Sequence, residues 1–156
     1  MKKIALFALG ALFAISSGIA AAGNFGDSGN NEIAKEKIEE IKKHEEDFFN
    51  KVEKKVKEET KLDLKDYKKV KMEDVFNSEE ESDTLLAQAI FENVIKGSTR
   101  GDLKPLIFLG DDKAIVIEKT VKGSNNVYEF SYSEGEWVKE SESNTEGEKM
   151  KMEPLK

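Results

Sequence analysis

From Glu32 to Thr60 the chain has no Gly or Pro, and Ala34, Ile38, Ile41, Phe48, Val52 and Val56 recur at spacings of three, four and seven. That period predicts a long amphipathic helix over residues 32–61 with one apolar stripe, widened by Phe49. Asn30 or Asn31 supplies a capping oxygen, and Glu32 suits the positive end of the helix dipole. Glu39 with Lys43, Asp47 with Lys51 and Glu53 with Lys57 stand four apart in the favourable order. Glu45 falls near the centre of the stripe, where it either reaches solvent or meets a cation from a partner. His44 lies at the stripe's margin and reads as a surface residue. Glu45, Lys55 and Glu59 interrupt the heptad pattern, so a sustained coiled coil is possible but not demanded.

Residues 62–141 predict a small α+β domain. A short edge strand is expected around Lys69 to Glu73, its lysines discouraging unwanted pairing. Ser78 and Glu81 have the spacing of a capping box. The run Thr84 to Lys96 that follows has Leu85, Leu86, Ala89, Ile90, Phe91, Val94 and Ile95 around most of its circumference. Such a helix is expected on the sheet and also beneath the first helix, with Gly97 as its stop. From Leu106 to Trp137, short β-branched and aromatic runs alternate with Gly, Asp, Asn and Ser, the pattern of an antiparallel meander of three to five strands. Ile115, Val116 and Ile117 predict a central strand covered on both faces. Tyr128, Phe130 and Tyr132 share one face of the next strand, with Val127, Glu129 and Ser131 on the other. A last strand is expected from Trp137 to Glu140, and residues 142–156 read as a mobile polar tail.

The first residues belong to no domain. Lys2 and Lys3 precede an uncharged apolar run, Ile4 to Ile15, and Ala20 to Ala22 place small residues where a secretory signal is cut. Residues 1–22 are therefore expected to direct export and be removed, leaving no stable membrane anchor and a flexible leader over 23–31. The remaining chain carries 23 basic and 32 acidic residues, a net charge of −9. Such a charge opposes binding to nucleic acid.

The chain has no cysteine and one histidine. Disulfide staples, thiol catalysis and zinc sites built on several Cys or His are thereby excluded. No Gly-rich phosphate loop or nucleophile elbow occurs. The acidic run Glu79, Glu80, Glu81 and Asp83 lacks calcium-loop spacing, and Arg100-Gly101-Asp102 before Pro105 reads as turn chemistry rather than an adhesion sequence. The expectation is a protein with no catalytic residues, no cofactor and no metal ligands.

The run Val-Tyr-Glu-Phe-Ser-Tyr-Ser-Glu-Gly-Glu-Trp-Val (127–138) loosely resembles the terminal hairpins of cystatin-like helix-on-meander domains. That resemblance implies a fold and no activity. The function expected from the residues is an exported protein-interaction module, periplasmic or secreted, meeting another envelope or extracellular protein. Its candidate surface is Ile38, Ile41, Glu45, Phe48 and Val52 on the helix, or Tyr128, Phe130 and Tyr132 on the strand. Self-association through the helix, a small-ligand or metal-ion carrier, and a holdase-type chaperone are the alternatives.

Overall fold

The computed structural model describes residues 30–155, with side chains from Ala34 onward. The expected signal and leader segments lie outside the described residues. The chain divides into two units, Met1–Glu39 and Glu40–Lys156. Helix α1 runs from Asn30 to Thr60, and Ala34 to Glu40 are exposed.

The second unit has α+β architecture. After the later part of α1 come β1 (Lys68–Val70), α2 (Met72–Phe76), α3 (Glu81–Asn93) and a single 3-10 turn (Ile95–Gly97). Four strands follow: β2 (Leu106–Leu109), β3 (Lys113–Lys119), β4 (Asn125–Ser133) and β5 (Glu136–Thr145). All neighbours pair antiparallel in the order β1-β2-β3-β4-β5. The β4–β5 turn has positive φ at both central residues, Glu134 (55°) and Gly135 (85°). That backbone twist matches the twist of the flanking strands.

Side-chain alternation gives the sheet two covered faces. On one, Ile107, Ala114, Val116, Tyr128 and Phe130 pack with Val75, Leu86, Ile90 and Val94 from α2, α3 and the residue after α3. On the other, Leu106, Phe108, Ile115, Ile117 and Val127 pack with Phe48, Val52 and Val56 of α1. The central strand is covered on both sides, as Ile115, Val116 and Ile117 predict. The structure corrects the placement of α3 beneath α1: their buried residues belong to opposite faces of the sheet. Helices on both faces also depart from a helix-on-meander arrangement with one covered side.

Several boundaries differ from the sequence pattern. The first strand ends at Val70, and the chain then turns into α2, which is too short to show a helical period. Helix α3 starts at Glu81 with Glu80 as its cap residue and no side-chain cap bond. Ser78 instead accepts the Glu80 N–H at 3.2 Å, so the expected capping box is not formed. Strand β5 extends to Thr145 rather than stopping at Glu140. Beyond it the polar tail is not free of the core, because Met150 and Met152 pack against the α1-side cluster. His44 Nε2 and the Glu153 carbonyl are 2.7 Å apart, tying that segment to α1.

Glu53 pairs with Lys57 one turn along α1 at 2.6 Å, and with Lys69 of β1 at 2.5 Å, which ties the helix to the edge of the sheet. Burial alone would raise its carboxyl, but hydrogen bonds and charge from the two lysines outweigh that and hold it below its ordinary value. A depressed folded value contributes stability above the ordinary carboxylate value and loses it as pH falls through the lower folded one. Both lysines are more than one-third exposed, so Glu53→Gln should cost only about 0.5–1 kcal/mol at neutral pH. Urea titrations at pH 7 and in the acid range should show that difference shrinking as pH falls below about 4.

Candidate functional site

Three places combine shape or burial with polar chemistry. The first is an open cleft of about 390 Å³ where the end of β1 and the start of β2 meet α1. Phe49, Val70, Met72, Pro105 and Leu106 supply its apolar lining. Lys42, Lys69, Lys71, Lys104, Glu45, Glu46 and Glu73 supply charge around it. Lys69 is paired with Glu53, and Lys104 with Glu73 at 3.0 Å. Lys42 and Lys71 make no ion pair among the described residues and remain exposed. The cleft exists because Val70 ends the edge strand and Lys71 turns the chain into α2, which leaves the flank of α1 at Phe49 half-covered.

A second recess, about 570 Å³, lies between the 61–67 connection and strands β3 to β5. Asp63, Lys113, Glu129, Ser131 and Glu140 line it, and Ser131 donates to Glu140 at 2.5 Å. Leu62, Tyr67, Ala114, Ile115 and Phe130 complete its lining, so charged and apolar residues are mixed around it.

The third place is buried. Along β3, Ile115, Ile117 and Lys119 point to the α1 side, so Lys119 continues an inward apolar row and is only 2% exposed. Its ammonium donates to Glu59 Oε2 (2.7 Å), the Gly123 carbonyl (2.9 Å) and Asn125 Oδ1 (3.1 Å). Asn125 is fully buried, and its Nδ2 donates to the same Glu59 oxygen at 2.8 Å. The other oxygen of Glu59 accepts the Glu148 N–H at 2.8 Å. Burial would raise the Glu59 carboxyl, but these donors and the Lys119 charge hold it below its ordinary value. A Cβ at Gly147 would collide with Glu59, so this close approach requires glycine.

Across the sheet, the buried carboxylate of Glu118 accepts from Ser98 Oγ and, at 3.1 Å, from Asn126 Nδ2. The nearby Tyr128 phenol is pushed up by burial and then by the charges of Glu118 and Glu142. No buried side-chain polar atom among the described residues lacks a partner.

The expected partner residues do not form one surface. Phe48 and Val52 are buried under one face of the sheet, and Tyr128 and Phe130 under the other. A folded chain therefore cannot offer these four to a partner. Ile41 and Glu45 are half-buried, Glu45 lining the cleft, and Ile38 is exposed. Tyr132 is half-buried against Trp137, their ring centroids 5.2 Å apart. The turn at Arg100-Gly101-Asp102 uses its carboxylate internally: Asp102 accepts the N–H groups of Thr99 at 2.6 Å and Val121 at 2.7 Å. Among the described residues no group of three or more His, Cys, Asp or Glu is placed to hold a metal ion, and no helix is long and apolar enough to cross a membrane.

The cleft and the buried triad were not singled out by the sequence pattern. Lys119 carried the one usable signal, an inward phase two residues after Ile117. No family model, curated protein or solved structure matches this chain.

Proposed function

We propose that this is an exported, non-catalytic interaction module of a cell envelope, which holds a protein partner in the cleft beside β1. The observation that carries this reading is the open cleft lined by the half-buried Phe49, Val70 and Met72, beside the exposed Lys42 and Lys71, which make no ion pair among the described residues. An apolar anchor ringed by polar groups is the arrangement in which a few side chains supply most of the binding energy. Lys42 and Lys71 favour a partner segment carrying a carboxylate next to an apolar side chain. The signal-like first 22 residues support export, and the missing Cys and lone His support a binding rather than a chemical role.

The test is capture from the cell's own envelope extract with the wild-type chain and with Lys71→Glu combined with Met72→Ser. A cleft-bound partner should lose roughly tenfold or more in affinity for the variant, while the variant melts within a few degrees of wild type. Equal capture by both would remove the cleft from the interaction.

A second reading is favoured by the size of the cleft, which falls within the roughly 300–1,000 Å³ typical of small-molecule sites. A small amphipathic acid held there should raise Tm in wild type and not in the variant.

A further inference from the structure

We propose that Lys119 and Asn125 condense into an intramolecular isopeptide bond, with Glu59 relaying the protons. The two residues are direct cross-strand partners at the end of the β3–β4 hairpin. Lys119 Nζ stands 3.1 Å from Asn125 Oδ1. With a C=O bond of about 1.23 Å, its nitrogen lies within about 4.3 Å of the carbonyl carbon. One oxygen of Glu59 touches both reacting groups, 2.7 Å from the amine and 2.8 Å from the amide nitrogen that would leave. Nucleophile, acyl carbon and proton relay are thus held together without a diffusing reactant.

The reacting groups are held out of water. Lys119 is 2% exposed and Asn125 fully buried. The Lys119 ammonium already touches the Glu59 carboxylate at 2.7 Å, so the proton that must leave before the amine can attack has an acceptor in direct contact. Glu59 is oriented from its far side by the Glu148 N–H, and Gly147 closes over it. Lys55 is the nearby cation on α1, and it is engaged with the Glu148 side chain at 3.0 Å.

The step balances without an oxidant or any added reactant. Lys119 gives one proton to Glu59, and the free Nζ attacks Asn125 Cγ to form the new C–N bond. Glu59 hands that proton to Nδ2, the Cγ–Nδ2 bond breaks, and ammonia leaves. The second proton lost from Nζ departs with it, so the products are one amide and one ammonium ion. Glu59 returns to a carboxylate that accepts from the new amide N–H. One buried positive charge is thereby exported from the core, and a chain without cysteine gains a covalent brace.

Intact-mass spectrometry of the purified chain tests this directly. The folded protein should weigh one ammonia less than its sequence. Trypsin should no longer cut after Lys119, so Ala114–Lys122 should be recovered joined to Gly123–Lys139. Glu59→Gln, checked for folding by circular dichroism, should restore the full mass. A folded wild-type chain at full sequence mass would overturn the proposal. So would an ammonia loss with normal cleavage after Lys119, which would point to a cyclised asparagine. A cross-link that persists in Glu59→Gln would remove Glu59 from the relay.

Discussion

Phe130→Ala should destabilise the protein by about 3–5 kcal/mol and lower Tm by roughly 10 °C or more. Phe130 is 1% exposed on the sheet face covered by α3. Its neighbour across the ladder is Ala114 on β3, already small and fully buried; Lys139 on β5 stands on the other side. Neither can fill the space the ring leaves. Ala114 has no side-chain length to extend, and Lys139 keeps its charge at the surface. The cost of a large-to-small change grows with the cavity that persists, so this site belongs in the upper part of the usual range.

Tyr132→Ala, two residues along the same face, is the internal comparison. Tyr132 is half-buried and its main aromatic neighbour is Trp137, whose indole N–H also donates to the Ser82 carbonyl at 3.0 Å. Trp137 keeps that anchor when the tyrosine ring is lost, so the change should cost clearly less than Phe130→Ala. Urea unfolding of both variants measures the difference. Equal losses would mean that the two aromatic positions share one environment and that the aromatic row is not graded from core to rim.

Much of the sheet was legible from residues 106–138 because period two is a short-range property. The alternation of Tyr128, Phe130 and Tyr132, and the apolar run through β3, each specify their own faces. The side taken by each helix was not so directly legible. An apolar stripe on α1 and another on α3 say only that each must be covered. The two-faced β3 held the answer, since Ile115 and Val116 each require a cover and α1 and α3 are the elements long enough to provide them. Strand β5 ran beyond its expected end because Ser141 to Thr145 is polar on both faces, which an exposed edge tolerates. The tail's contact lay in a faint sign, Met150 and Met152 two apart in an otherwise charged segment. The cleft arises where three elements meet over Val70 and Leu106, and local periodicity carries no such information. The buried triad draws Glu59, Lys119 and Asn125 from a helix and two strands, so only Lys119's inward phase could announce it.

Glu59→Ala should be among the most damaging single polar substitutions in the chain, costing about 3–5 kcal/mol. It strands the Lys119 ammonium, 2% exposed, with the Gly123 carbonyl and Asn125 Oδ1 as its remaining acceptors and no compensating charge. It also removes the acceptor of the Glu148 N–H, and with it a hold on the segment that brings Met150 and Met152 onto the core. Lys119→Met should cost less. The charge it strands is Glu59, which is 11% exposed and keeps donors from Asn125 and the Glu148 N–H, while the methionine continues the apolar row of Ile115 and Ile117. Both variants lose the proposed isopeptide bond, so their order reports on desolvation rather than on the cross-link. Denaturant titration at neutral pH should place Glu59→Ala below Lys119→Met. The reverse order would mean that Lys119 reaches water more readily than its burial implies, and that Glu59, rather than the lysine, is the group whose charge must be compensated.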